Sequence, residues 1–467
     1  MRSFKCVLAV MAFLTATTLV GCGSGANSSS GFTAQSASVF TVATDSPTVP
    51  SVVSFTTNVT NVTLLNASNQ SVSVLTQTAN VDFARLNGLH QLIDLNAVPP
   101  DTYTQATISL SAPVISYIDT TKNPPVVTML NGNFGGNATT SVTVPLANPF
   151  TLHSADLVGL RMEMNLAKSL VTDGSGNLTG AITPAFHMQL LNATDANVSI
   201  DDFRGGVSGV TGADTFTMQG PHGRLWNVVT SQSTDFDTNE MISSFTSNTM
   251  VEVSGQLDPV TKNIDCSELA VISNDKFAIS GLFTSIRPPS GAATAADVFV
   301  REEVPDISGV PLGQITTLTL NGSETYKIAN LQNPLTALLF NNSALTAGQT
   351  VTVGGALNTT NGVTTLIPHR IVLNRQGQSG ATVAGSVTGG SGGSNNGSFT
   401  FTDNSQAGIL LPNPLTVITG NQTHFINLSG LSALNGPSVP VRVVGFILLN
   451  AGTPVMVARS VEELPAS

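Results

Sequence analysis

Apolar and polar residues alternate along most of this chain. Val59-Thr60-Asn61-Val62-Thr63-Leu64, Ser71-Val72-Ser73-Val74 and Ser141-Val142-Thr143-Val144 each place apolar side chains on one face and hydroxyl or amide groups on the other. That period of two is the mark of a half-buried strand. Leu318-Thr319-Leu320, Val351-Thr352-Val353 and Phe399-Thr400-Phe401 repeat it. Gly, Pro and Asn clusters separate the segments, and Asp173-Gly174-Ser175-Gly176-Asn177 reads as a hairpin tip. No long helical periodicity appears. The pattern predicts an all-β protein: an N-terminal β-sandwich over 38–195, then three small five-stranded β-barrel repeats in series over 200–275, 276–376 and 380–465.

The repeats rest on a recurring order of short motifs. The first copy runs Gly206-Val207, Phe216-Thr217-Met218, Thr234-Asp235-Phe236, Val251-Glu252-Val253-Ser254-Gly255 and Cys266-Ser267-Glu268-Leu269. The second runs Ile279-Ser280-Gly281-Leu282, Val298-Phe299-Val300, Thr325-Tyr326-Lys327, Val351-Thr352-Val353-Gly354 and Pro368-His369-Arg370-Ile371. The third runs Val383-Ala384-Gly385-Ser386-Val387, Phe399-Thr400-Phe401, Thr423-His424-Phe425, Val441-Arg442-Val443-Val444-Gly445 and Ala458-Arg459-Ser460-Val461. Residues 335–345 and 428–434 are candidate helices between the third and fourth strands. Gly255, Gly354 and Gly445 are expected to sit where a strand bends or a backbone comes close. The alignment sets Cys266 opposite Pro368 and Ala458, which predicts a buried, unreactive thiol.

The first 37 residues have another character. Arg2 and Lys5 precede a short apolar stretch, then Leu19-Val20-Gly21-Cys22. Charge, apolar core and small-residue cleavage site make a signal peptide over 1–21. The apolar core is shorter than the roughly 20 residues of a spanning helix. The last four residues resemble the lipobox of bacterial lipoproteins. The resemblance implies a diacylglycerol on Cys22 and cleavage after Gly21, so membrane lipid is the expected partner through acylated Cys22. Two or more acyl chains anchor stably. Gly23 resembles the residue that directs enteric lipoproteins to the outer membrane. Residues 22–37 read as a Gly/Ser-rich tether.

Two further resemblances concern fold. Thr44-Asp45-Ser46-Pro47, Val81-Asp82-Phe83 with Leu86, Val98-Pro99-Pro100-Asp101-Thr102-Tyr103, Met162-Glu163-Met164-Asn165-Leu166-Ala167-Lys168-Ser169-Leu170 and Pro184-Ala185-Phe186 follow one another in order. This order resembles an uncharacterised family of bacterial lipoprotein domains, which implies a transthyretin-like or immunoglobulin-like sandwich. Pro100-Asp101 departs from that family's Ala-Gly, and Asn165 stands where it has Asp. The repeats resemble an uncharacterised bacterial repeat domain, and their order suggests small barrels of the OB type. Neither family carries an agreed activity.

Composition narrows the function. Charged residues are 10% of the 467, and the net charge is −11, so the Lys/Arg patches that hold phosphates are missing and nucleic acid is excluded as a partner. Of three cysteines, Cys6 leaves with the signal peptide and Cys22 is acylated, so Cys266 is left without an internal disulfide partner. His90, His153, His187, His222, His369 and His424 stand at no metal-ligand spacing. Asp235 and Asp237 begin like a calcium loop, but Glu240 replaces the turn glycine and Thr246 the closing Glu. There and at Asp201-Asp202, solvated turn acids are favoured over a weak Ca²⁺ site. The Gly-rich run from Gly389 to Gly397 is a loop and not a phosphate cradle. No nucleophile elbow or Walker loop is present. Trp226 is the single tryptophan, too few aromatics for a typical sugar-stacking cleft.

The expectation is a lipid-anchored cell-envelope protein, non-catalytic and without cofactor, with a structural or surface-display role. A surface adhesin that binds glycan or an envelope protein is the alternative. A hydrolase whose site is assembled from distant residues comes third.

Overall fold

The alternating segments form strands. A computed structural model describes residues 36–464, except 47–48, 50, 123–125, 193–198, 221–222, 237–240, 259–260, 262, 274–276, 305–306, 308–309, 311, 330–336, 361–362, 391–393 and 404–408. Cys22, His222 and Asp237 lie outside the described residues.

The N-terminal region contains β1 (Ala37–Ser46), β2 (Val52–Asn66), β3 (Ser71–Ser73), β4 (Ala79–Asp82), β5 (Gln91–Val98), β6 (Thr102–Asp119), β7 (Val126–Asn131), β8 (Thr139–Thr151), β9 (Leu157–Asn165), β10 (Leu170–Thr172), β11 (Leu178–Ile182) and β12 (Phe186–Asn192). One sheet has the order β12-β9-β1-β5, and the other runs β3-β2-β6-β7 with β4 on β2 and β8 on β6. Phe55, Val59, Val62 and Leu64 of β2 meet Leu160, Met162 and Met164 of β9 in the core between them. The Tyr103 hydroxyl donates to the Pro99 carbonyl, 2.8 Å away, and ties down the Pro-Pro turn. Asn165 caps the single-turn helix α1 (Leu166–Ser169): its Oδ1 accepts from the Lys168 amide at 2.9 Å. Asn and Asp cap about equally well, so Asn here keeps the structural role a carboxylate would have.

The first barrel uses β13 (Ile200–Val210), β14 (Thr215–Gln219), β15 (Leu225–Val229), β16 (Asp235–Phe236), β17 (Met250–Leu257) and β18 (Ile264–Ser273). The second uses β19 (Ala278–Arg287), β20 (Ala295–Val304), β21 (Ile315–Thr319), β22 (Thr325–Ile328), β23 (Thr350–Thr360) and β24 (Val363–Leu373). The third uses β25 (Gln376–Thr382), β26 (Thr388–Gly389), β27 (Gly397–Asp403), β28 (Leu415–Thr419), β29 (His424–Ile426), β30 (Pro440–Asn450) and β31 (Thr453–Glu463). The circuit is the same each time. In the first barrel it is β15-β14-β13-β17-β18, closed by a parallel β15–β18 pairing. In the third it is β28-β27-β25-β30-β31, closed by β28–β31. In the second, β21 lies beside β24, and no ladder pairing joins them among the described residues.

Several expectations are corrected. The Thr-x-aromatic motif is not the third barrel strand. It is a short extra strand, β16, β22 or β29, lying parallel on the last strand. The true third strands are β15, β21 and β28. Thr234 and Thr423 each donate a side-chain hydrogen bond to the last strand, at Cys266 O and Ala458 O, 2.6 and 2.9 Å away. In the second copy Thr325 is displaced by one, because Glu324 holds that place and accepts from the turn amides of Asn321 and Gly322. The first strand of the third copy is β25, not 383–387. Among their described residues the candidate helices contain only short 3₁₀ segments, Asn342–Ala344 and Leu431–Asn435, and residues 335–336 lie outside the described residues.

The glycine expectation holds at two positions and moves by one at the third. Gly255, Gly355 and Gly445 each sit at a register shift opposite Cys266, Pro368 and Ala458. A Cβ at any of them would run into the carbonyl oxygen of Asp265, Ile367 or Val457. Gly354 pairs regularly with Arg370.

Although they follow one another along the chain, the modules fold back into one compact unit from residue 35 onward. Phe40 and Val42, on the outer face of β1, join the first barrel's core. Phe446, Leu448 and Val457 of the third barrel join the second barrel's core, while Ile447 and Met456 face their own. Val444, on the same strand as Phe446, packs into the sandwich core. Each such side chain, fully buried, is worth roughly 1.5–3 kcal/mol, so neighbouring modules stabilise one another.

Candidate functional site

Charged residues meet where the modules meet. In β13 and β17 Arg204 and Glu252 occupy polar positions of the alternation and pair across the ladder. Arg204 Nε lies 2.7 Å from Glu252 Oε2, and NH1 lies 3.0 Å from Glu302 Oε2 of the second barrel. Arg204 Nε also donates to Thr352 Oγ1 at 3.0 Å. Burial pushes Glu252 up to about 7, with the charge on Arg204 opposing and Asp202 reinforcing the rise. The same two carboxylates, with Glu302, outweigh the effect of burial on Arg204 and hold it above its ordinary value.

The linker between the second and third barrels crosses this seam. The Arg375 side chain is 10% exposed, and its Nη2 donates to Asp202 Oδ1 at 3.0 Å and Ser254 Oγ at 2.7 Å. Its NH1 lies 3.4 Å from Glu268, which Arg459 of the third barrel grips from the other side. Burial alone would lower Arg375; Asp202, Glu268 and Asp201 reverse that and raise it. Asn87 joins the sandwich to the third barrel: its Oδ1 accepts from Ser379 Oγ at 2.9 Å and Arg442 Nε at 3.1 Å. Arg301 ties the second barrel to the sandwich through the Val53 carbonyl at 2.7 Å.

Above this seam opens a cleft of about 1140 Å³ between the sandwich, the first barrel and the third. Arg161 and Glu163 of β9 form the sandwich wall, Asp265 and Glu268 of β18 the first barrel's, and His424 and Arg459 the third's. Among the described residues no Phe, Tyr or Trp lines it.

At its floor His90, Ser199 and Asp201 come together, but not as a nucleophilic relay. Ser199 Oγ lies 3.4 Å from His90 Nδ1, and Asp201 Oδ2 lies 3.3 Å from that same nitrogen. A triad needs the hydroxyl and the carboxylate on opposite ring nitrogens. Ser199 instead donates to Asp201 at 3.1 Å, and the His90 amide donates to it at 3.0 Å. Burial pushes Asp201 up, but the His90 hydrogen bond and the Arg375 charge bring it down to about 2. Asp201 is therefore a fixed anion.

The acids expected in solvated turns are thus placed differently. Asp201 and Asp202 are held in this network, and Asp202 is buried. Asp235 sits in β16 opposite Glu268. Among the described residues no three His, Cys, Asp or Glu side chains are grouped to hold a metal ion. Cys266 is buried, and its Sγ donates to the Glu268 carbonyl at 3.1 Å. Burial pushes the thiol up to about 12. His90 and His424 line the cleft, and His153 pairs with Asp156 in an exposed turn. Sequence reasoning missed Arg204, Glu252, Arg375 and Glu268. The one local signal was charge inside apolar strands, at Phe203-Arg204-Gly205 and Val251-Glu252-Val253.

Fold and cleft together define an all-β protein of a sandwich and three barrels around a desolvated ion-pair network. No family model, curated protein or solved structure matches the chain.

Proposed function

We propose that this is a lipid-anchored, non-catalytic protein of the cell envelope, whose sandwich and barrels form a rigid body for display or structural support. The sandwich is read as transthyretin- or immunoglobulin-like and the barrels as OB-like. The observation that carries this reading is the mutual locking of the modules: apolar cores are shared, and guanidinium and carboxylate groups pair across the seams that join the first barrel to the second barrel, the linker and the third barrel. Charges committed in this way are not available as acid, base or nucleophile. Cys22 supplies the anchor to membrane lipid, with the outer membrane as its expected address.

Replacing Cys22 by Ala tests the anchor. Metabolic labelling with a fatty acid should mark the parent protein and not C22A, and C22A should leave the membrane fraction or remain unprocessed. Normal labelling and processing of C22A would overturn the lipid anchor. A hydrolase panel run on the detergent-solubilised protein tests the rest of the proposal; turnover lost on mutating a cleft residue would refute the non-catalytic reading.

The cleft favours a second reading, that of a binding protein. Polar groups converging on a concavity are the ordinary mark of a ligand site. Without aromatic platforms, a charged ligand suits this cleft better than a stacked sugar.

A further inference from the structure

The cleft's charges fall into two sets. One set is paired: Asp201 with His90 and Arg375, Glu268 with Arg375 and Arg459, and Arg442 with Glu462. The other set, on the walls, is not. Arg161 donates only to the neutral Gln189 side chain, and its Nε is buried without an acceptor. Glu163, two positions along the same face of β9, has no ion-pair partner among the described residues. Asp265 projects from the first barrel and is likewise unpaired; burial and the neighbouring Asp258 raise its pKa. A guanidinium and two carboxylates thus face one concavity with their attraction unspent.

We infer that the cleft binds short peptides carrying both ammonium and carboxylate groups, with a carboxylate seated on Arg161 and an ammonium held between Glu163 and Asp265. Several observations favour this class. The unspent wall charges have both signs, so a simple anion would meet Glu163 beside Arg161, and a simple cation would meet Arg161 beside Glu163. Among the described residues no aromatic side chain lines the cleft, so they offer none of the stacking surface that sugars and nucleobases use. The volume, about 1140 Å³, exceeds the usual range of small-molecule pockets, about 300–1,000 Å³, and leaves room for a ligand of several residues. Arg161 is suited to the carboxylate because its planar fork matches that group's two oxygens.

This inference rests on the binding reading. The test is titration calorimetry of the full-length protein in detergent micelles with three probes: the tripeptide Ala-Glu-Lys with free termini, the neutral Ac-Ala-Gln-Gln-NH₂, and chitotriose. Ala-Glu-Lys should bind saturably, at least about ten-fold more tightly than the neutral peptide, and more weakly as salt rises. Arg161→Gln and, independently, Glu163→Gln should each weaken it by about ten-fold while leaving the circular dichroism melt unchanged. No saturable binding of Ala-Glu-Lys, equal binding of the neutral peptide, or full affinity in both variants would overturn the inference. Chitotriose binding in place of the peptide would overturn the ligand class and leave the binding reading standing. Silence with all three probes would overturn the inference and weigh against that reading too.

Discussion

Replacing Arg204 with Met would separate the two roles of the buried network, stability and specificity. The Arg204 side chain is 1% exposed and that of Glu252 is 0% exposed. Deleting the guanidinium leaves Glu252 desolvated without its nearest cation. Removing one partner of such a pair costs about 3–5 kcal/mol, whereas replacing both with apolar residues is often neutral or better. Arg204→Met should therefore lower stability by about 3–5 kcal/mol at pH 8, and Arg204→Met with Glu252→Leu should recover most of it. Glu302, which also loses Arg204, is 21% exposed and can be hydrated instead. The single-variant cost should shrink at pH 5. Glu252 holds its proton more tightly folded than unfolded, so its contribution to stability is full below the ordinary carboxyl range and is lost as pH rises towards about 7. Equilibrium urea unfolding, followed through the fluorescence of Trp226, reports directly on the first barrel, where that side chain is 6% exposed. A loss under about 1 kcal/mol at pH 8, or a double variant no more stable than the single one, would show that the pair is not desolvated as described.

Three further outcomes follow from the packing. Because Phe446 and Leu448 complete the second barrel's core, the modules should melt together. Trp226 fluorescence and far-ultraviolet circular dichroism should then give one midpoint, and two separated transitions would mean independent modules. Cys266, buried with its pKa raised to about 12, should resist a bulky maleimide in the native protein and react only once urea unfolds it; fast native labelling or a covalent dimer on a non-reducing gel would contradict this. Gly445→Ala should destabilise by about 1–3 kcal/mol, because its Cβ has no room beside the Val457 carbonyl, whereas Gly452→Ala, with open space around it but a φ of +84°, should show only left-handed strain. Equal stability of G445A and the parent in urea would remove the case for the repeated glycine.

Local chemistry made much of the fold readable. Strands β2 and β8 alternate because one face meets a core and the other does not, and that period survives without knowledge of any neighbour; β17, β23 and β30 keep the period although both of their faces are largely buried. The threefold repetition and the placing of Cys266, Pro368 and Ala458 were also legible, because each stands opposite the glycine at the same register shift of its barrel. The third strands were harder to place. Leu225-Trp226-Asn227-Val228-Val229 and Leu415-Thr416-Val417-Ile418-Thr419 alternate well, but the following Thr-x-aromatic motif repeats more visibly. The threonine recurs to close a turn and dock on the last strand. Strand β25, Gln-Gly-Gln-Ser-Gly-Ala-Thr, carries no apolar signature. Gln376 Nε2 donates to the Gly348 carbonyl at 3.0 Å, and Gly377 leaves room for the Asn87 carbonyl. A strand buried through amides looks like a loop until its partners are known.

The sequence by itself determined the all-β class, the threefold repetition and the burial of Cys266, because these follow from contacts between near neighbours or from a pattern repeated three times. Tertiary structure alone decided the candidate site. His90 and Asp201 are 111 positions apart, and Arg375 and Asp202 are 173 apart. Asp201-Asp202 reads locally as a wet turn. Only the closure of the sandwich, the first barrel and the linker around that turn removes its water and supplies the guanidinium that pairs with Asp202 and holds the Asp201 carboxyl low. Charge carries no periodicity that reveals such a partner in advance, since an ion pair needs proximity and exclusion of water, and both are properties of the assembled modules.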